Sequence, residues 1–377
     1  MPDSKQPRVF HLITRLLKGG AEGHLIATVQ GLDRYEFTVG YGSEYVQSQV
    51  DSLENAGVST KRFPLVRHYN PITTVPAVLS LAWYLQRRDF DIVHTNSTEA
   101  GIIGRFAAKL AGVPNIVHTV HGIPFSTDRN NILSQFVLTC ERQVASYTDR
   151  IVTNADIITE DYLERNIGTS EQYTTVYSGV ELDAFVDATP ADDLPGKRPR
   201  IVMIGRLTEG KGHGVLLNAI ESMDEDIGSV CIVGDGPLYD ELEAEILRRG
   251  LDGRVFLIGF RDDIPNVLAA SDLLTLPSFR EGTPRVITEA MASGVPVVAT
   301  DIAGIPEQVA DGESGYLIPT GDAKALRRRL EQLLQDTELR QRMGQQGIER
   351  VKRFSVEAMV EETDNIYRDL LGKDCQL

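Results

Sequence analysis

Strand-sized apolar runs alternate with longer helical patterns along this chain, and the alternation occurs twice. The first series has apolar runs at 9–14, 37–41, 92–94, 116–120 and 151–153. Helical patterns cover 75–88 and 99–111, the second ended by Gly112 and Pro114. The second series has apolar runs at 201–204, 230–233, 255–258, 273–276 and 297–300, followed by a helical ending from Ala323 to about Leu371. Short apolar runs separated by helix-length segments predict parallel sheets covered on both faces. The stretch TPADDLPGKRP at 189–199 is rich in Pro, Asp and Gly and reads as a linker. The predicted fold class is therefore α/β, with two doubly wound parallel-sheet domains facing a central cleft. Residues 1–188 and 200–354 form the domains, and a C-terminal helix in 355–377 packs back on the first. In such folds ligands sit at the carboxyl ends of the strands.

Charge narrows the partners. The 377 residues carry 38 Lys plus Arg against 54 Asp plus Glu, a net charge of −16. A phosphate backbone needs a basic surface, so nucleic acid is not an expected partner. Residues 1–185 hold 16 basic against 20 acidic side chains, and 186–377 hold 22 against 34. An anion bound in the second half must be held by local cations and backbone N–H groups. The cysteines, Cys140, Cys231 and Cys375, are few and widely spaced, which predicts reduced thiols and no zinc site. The N-terminus, MPDSKQPRVFHLIT, has no apolar run of signal-peptide length, and no run in the chain approaches the roughly 18 residues of a membrane span. The expected location is the cytoplasm.

The loops after the strands carry the chemistry. After the first strand, Gly19 and Gly20 precede a helix, a turn that serves either an anionic ligand or plain chain reversal. Gly19, Gly20 and Gly23 lack the spacing of a dinucleotide fingerprint. After the strand at 201–204, Gly205 turns the chain, and Arg206 and Lys211 bring two cations to the next helix start. A guanidinium, an ammonium and helix N–H groups together suit a diphosphate. The turn around Gly234 and Gly236 reads as a simple turn. Arg261 either reaches a nucleotide base or stays a solvated loop arginine. Glu281 precedes Gly282, Thr283 and Pro284, and Glu289 follows eight residues later in a helix with Pro284 at its first position. Two carboxylates at that spacing can meet different parts of one extended ligand.

These motifs have a family resemblance. GRL…KG, GDGP, IGF, PS…EG…E-AMA-G-PVVATD and the closing G-x-PE-x-V-x-DG-x-SG-x-L-x-P-x-GD resemble retaining GT-B glycosyltransferases of family 4 (glycosyl transferases group 1), in order from about residue 8 to 371. The resemblance implies two Rossmann-like domains. A nucleotide-sugar donor lies mainly on the second and an acceptor mainly on the first. It implies Arg206 and Lys211 as donor-diphosphate cations, with Gly205 at the turn before them. Glu289 is then the ribose ligand, Glu281 the donor-sugar ligand, and Gly282, Thr283 and Pro284 the sugar lining. Gly19–Gly20 closes over the diphosphate from the first domain. His121, otherwise readable as a turn histidine, lies near the transferred sugar. One departure is Pro284, which lacks the backbone N–H that relatives offer there, and Arg285 beside it is the candidate substitute.

The expected reaction is retaining transfer from a nucleotide-diphosphate sugar, with UDP as the expected nucleotide, to a glycan or lipid-linked acceptor, without cofactor or required metal. Arg206, Lys211 and helix dipoles stabilise charge on the leaving phosphate. Asp224-Glu-Asp226 follows a helix, and a metal-binding D-x-D would follow a strand. Alternatives on the same fold are a nucleotide-sugar epimerase and a non-catalytic nucleotide-sugar binder. Trp83, Tyr84, Arg87 and Arg88 end a helix that either rests on a membrane surface or packs in the core. Arg62, Arg67, His68 and Tyr69 are candidate acceptor contacts.

Overall fold

A computed structural model describes residues 6–17, 19–65, 71–122, 132–224 and 228–372. The chain divides into two compact units, 1–179 with 356–377, and 180–355.

The first unit contains β1 (Arg8–Leu16), β2 (Glu36–Tyr45), β3 (Ser59–Arg62), β4 (Ile92–Asn96), β5 (Asn115–Val120), β6 (Arg150–Thr153) and β7 (Tyr173–Thr175). They form one sheet in the order β3-β2-β1-β4-β5-β6-β7, with every pairing parallel. β1 and β4 are buried almost throughout, because helices cover both faces of the sheet. Val9, Ile13, Leu25 and Val39 belong to the core on one face, and Phe10, Leu12, Leu81 and Ile103 to that on the other. The strand order reverses between β1 and β4, which opens a crevice at their carboxyl ends. The register sets His11 beside His94, and Asn96 beside Thr119. Side chains alternate along a strand, so His11, His94, Asn96 and Thr119 share one face. The helix Val356–Leu371 packs with this face through Tyr367.

The second unit contains β8 (Arg200–Ile204), β9 (Ser229–Val233), β10 (Val255–Gly259), β11 (Leu273–Leu276), β12 (Val297–Thr300) and β13 (Gly315–Ile318). Its sheet is again parallel, in the order β10-β9-β8-β11-β12-β13, and the reversal falls between β8 and β11. The loops after β8 and β11 therefore flank one crevice, and they are the two loops richest in candidate residues.

Two boundaries differ from the sequence reading. The units part between 179 and 180, and the stretch expected as a linker belongs to the second unit. Leu194 is buried, and Arg200 donates to its carbonyl. Ser229 Oγ donates to Lys197 O, and Arg261 pairs with Asp193. The helical ending is three helices, Ala323–Gln335, Thr337–Val351 and Val356–Leu371. Asp336 causes the first break, since its carboxylate accepts from Leu339 N at 2.8 Å and caps the following helix.

Candidate active site

The second unit's site begins where β8 ends. Gly205 N donates to Val233 O, and Leu207 N to Asp235 O, so the loops after β8 and β9 are tied together. Phe279 N donates to Gly210 O at 2.7 Å, which ties the β8 loop to the loop after β11. The loops approach so closely at Gly212, φ +80°, that a Cβ there would lie 1.9 Å from Pro277 O. Only glycine fits. Lys211, next to this contact, reaches across it. Its Nζ lies 2.7 Å from Glu281 Oε1, which also accepts from Ser278 Oγ at 2.7 Å. Thr300 Oγ1 donates to Ser278 O at 2.7 Å and fixes that backbone from the end of β12. Glu281 is nearly buried and Lys211 about a quarter exposed, so the pair is shielded, with Lys211 its more accessible member. Arg206 is exposed, and among the described residues it has no ion-pair partner.

The helix Arg285–Ala292 follows, with Pro284 as its N-cap rather than its first residue, so the helix begins one residue later than the sequence reading gave. Gln308 Nε2 donates to Pro284 O at 3.1 Å and to Thr288 Oγ1 at 2.8 Å, which anchors the helix start. Gly282 O accepts from Gly304 N. Glu289 is largely buried, with the Arg285 guanidinium at 4.0 Å. Burial raises its carboxyl above the ordinary range, and Arg285 acts against that rise. Arg285 is thus engaged with Glu289, while Glu281 is held by Lys211 and Ser278. Arg261 does not stand open for a base: its guanidinium is taken by both Asp193 and Asp263.

In the first unit, the helix Gly20–Gly31 starts at Gly19, where a Cβ would meet Glu22 Oε2 at 2.6 Å. His121 follows β5, and its Nε2 lies 3.1 Å from Asn96 Oδ1 at the end of β4. The next residue, Ser97, has φ +69° and ψ +160°, a conformation costly for any side chain. Its hydroxyl lies 2.8 Å from Thr14 Oγ1, which also accepts from Ala100 N. The strained turn is thus held at the reversal between β1 and β4. Arg62 stacks over Tyr45, with 5.2 Å to the ring centroid, whereas Arg67, His68 and Tyr69 lie outside the described residues. So do Glu225 and Asp226 of the acidic run, and Cys375.

Residues 10–184 match the family model described as Glycosyltransferase Family 4, and residues 188–350 match that described as Glycosyl transferases group 1. The chain is 31% identical over 319 residues to the UDP-Gal:alpha-D-GlcNAc-diphosphoundecaprenol alpha-1,3-galactosyltransferase of Escherichia coli, covering 81% of this chain and 82% of that one. It is 38% identical over 326 residues to the N-acetyl-alpha-D-glucosaminyl L-malate synthase of Bacillus anthracis, covering 82% and 84%. The chain belongs to the family 4 (group 1) glycosyltransferases. Its architecture matches Anabaena HepE, solved in complex with UDP, with a TM-score of 0.80 at 23% identity, covering 96% of this chain and 99% of that one. The fold is GT-B.

Within this glycosyltransferase, sequence reasoning named both partners of the Lys211–Glu281 pair but not Ser278, which completes it. The signal was present in the PS preceding EG. It also missed His24 and Asn96, which contact His121, and Tyr367, which connects to it through His11 and Asn96. Asn96 ends a strand at the reversal of strand order, where a polar residue signals a site. Nothing local in the sequence marks Tyr367, which reaches the site from 356 residues away from His11.

Proposed function

We propose that this glycosyltransferase moves a hexose from a UDP-sugar to a lipid-linked or glycan acceptor, with retention of anomeric configuration and no required metal. The observation that carries the reading is the shielded Lys211–Glu281 pair at the reversal of the second sheet, with the exposed Arg206, which has no ion-pair partner among the described residues, in the same loop after β8 as Lys211. A neutral ligand would not need a second cation there, whereas a diphosphate takes both. As the bond to the sugar lengthens, charge grows on the phosphate oxygens. Lys211 and Arg206 lower its energy without a proton transfer. Glu281, fixed by Ser278, then offers its free oxygen lone pairs to sugar hydroxyls, and Glu289 faces the ribose. The E. coli relative names UDP-Gal and a diphosphoundecaprenol acceptor, and UDP is bound in the Anabaena structure. These support the nucleotide and the lipid-linked class.

Stereochemistry tests the reading. The protein is incubated with a panel of UDP-α-sugars and an undecaprenyl-diphosphate sugar, and the first product is read by proton NMR. An α-linked product, formed equally fast in EDTA, is expected. A β-linked product contradicts retention, abolition by EDTA contradicts metal independence, and conversion of donor without acceptor points to epimerisation.

The lipid-linked class also accounts for one surface. Val75, Leu79 and Trp83 recur every four residues on one side of the helix Pro71–Gln86 and are all more than half exposed. Ala77, Leu81 and Leu85 on the opposite side are buried. Arg87 stacks over Trp83 at 3.9 Å and Arg88 over Tyr84 at 4.2 Å, so two cations end the stripe on a chain of net charge −16. Among the described residues no helix is long and apolar enough to cross a membrane. In this reading the stripe rests on an anionic lipid surface. The chain should co-sediment with phosphatidylglycerol vesicles, and Trp83→Ala with Arg87→Ala should lose most of the bound fraction. Equal sedimentation of parent and variant removes the surface from the account.

A further inference from the structure

Behind His121 the first unit holds a chain of hydrogen bonds with a direction. His121 Nε2 lies 3.1 Å from Asn96 Oδ1, and Asn96 Nδ2 lies 3.4 Å from His11 Nδ1. His11 Nε2 is 2.9 Å from the Tyr367 hydroxyl, which is 2.6 Å from His94 Nδ1. His94 Nε2 ends the chain on Thr119 Oγ1 at 2.7 Å. An amide oxygen only accepts, an amide nitrogen only donates, and a neutral imidazole does one of each. His121 therefore donates from Nε2, and His11 accepts at Nδ1. His11 then donates from Nε2 to the Tyr367 oxygen. The Tyr367 proton goes to His94 Nδ1, and His94 donates from Nε2 to Thr119. Each of the five links then has one donor and one acceptor.

The surroundings keep these rings neutral. Burial pushes His11 and His121 down to about 3, with His24 adding to both, and holds His94 well below the ordinary value. His24 is buried with its ring 5.4 Å from that of His121 at 79°, so it closes one side of the His121 ring. His121 itself is only half-buried.

We propose that Asn96, backed through His11 by Tyr367, fixes His121 as the Nε2–H tautomer, so that Nδ1 is an acceptor held ready for a substrate hydroxyl. Asn96 and Tyr367 are then positioning residues, and the helix Val356–Leu371 contributes to the chemistry through the tautomer of a residue it does not touch. The catalytic consequence rests on the glycosyl-transfer reading, in which His121 meets the substrate.

The tautomer is measured directly on the full chain labelled with 15N-histidine, by long-range proton–nitrogen correlation, with His121 assigned from the signals lost in His121→Gln. The parent should show an unprotonated Nδ1 and a protonated Nε2 at neutral pH. Tyr367→Phe, which keeps the ring and removes the hydroxyl, should give a mixture of tautomers. Its kcat for the UDP-sugar consumed most rapidly in the donor panel should fall about tenfold with KM within about twofold. Asn96→Asp, whose carboxylate also accepts from Nε2–H, should keep the parent tautomer. An Nδ1–H signal in the parent overturns the proposal, because the Asn96 amide would then be turned over and the chain reversed. A Tyr367→Phe spectrum and kcat equal to the parent overturn it as well. The spectrum needs no substrate, so failure to consume any nucleotide sugar would sink the transfer reading and leave the tautomer to be decided by the parent spectrum alone.

Discussion

Lys211→Ala is expected to lower kcat/KM for the UDP-sugar by about a thousandfold, or about 4 kcal/mol of transition-state stabilisation at 1.36 kcal/mol per decade. Two losses combine. The ammonium that meets the growing charge on the phosphate is gone, and a single preorganised donor of that kind is worth about 10²–10³ in rate. Glu281, nearly buried and 2.7 Å from the ammonium, also keeps only the Ser278 hydroxyl as a hydrogen-bond partner among the described residues. An unpaired carboxylate there repels the diphosphate that should lie beside it. Lys211→Arg should recover only part of the loss, because a guanidinium cannot reproduce a point contact across the Gly212–Pro277 approach. Steady-state kinetics of UDP release check this. A Lys211→Ala enzyme within tenfold of the parent would show that the cation does not face the leaving group.

The second large effect concerns stability. Arg105 and Glu141 are fully buried and joined through Nη2 and Oε2, between the helices Thr98–Ala111 and Ile132–Ala145. Arg105 Nε also donates to Gly101 O at 2.9 Å. Arg105 Nη1 and Glu141 Oε1 have no hydrogen-bond partner among the described residues. Such a pair adds little net stability over an apolar replacement, but removal of one member leaves a dry, unpaired charge, at a cost of about 3–5 kcal/mol. Glu141→Leu should therefore lower the urea midpoint of the first unit strongly. Arg105→Leu combined with Glu141→Leu should recover most of the loss. A single variant as stable as the parent would mean that water reaches the guanidinium.

How far these features were visible in the sequence depends on distance along the chain. The apolar runs at 9–14 and 201–204 became β1 and β8 because a strand buried on both faces must be apolar at nearly every position. The short strands β3 and β7, at the edges of the first sheet, were not singled out, and neither was β13, whose residues GYLI are apolar. Edge positions demand fewer apolar residues, and STKR in β3 has none. In the site, Arg206, Lys211, Glu281 and Glu289 stood within two loops whose spacing suited a diphosphate sugar. The pairing of Lys211 with Glu281 spans 70 residues and follows from the order of β8 and β11, which periodicity does not encode. The pairing of Arg261 with Asp193 was hidden in the same way, because Asp193 lay in a stretch that read as linker. The chain from His121 to Tyr367 was least legible, because each link comes from a different strand or helix.

The acidic half of the chain is the half proposed to hold the anion, so the nucleotide must depend on a few named cations. Calorimetric titration of UDP into the parent and into Arg206→Ala combined with Lys211→Ala tests this most directly, with circular dichroism confirming that both are folded. The parent should bind one UDP, and the variant should bind it at least a hundredfold more weakly, a difference of about 2.7 kcal/mol. Equal affinity in the two proteins would contradict it.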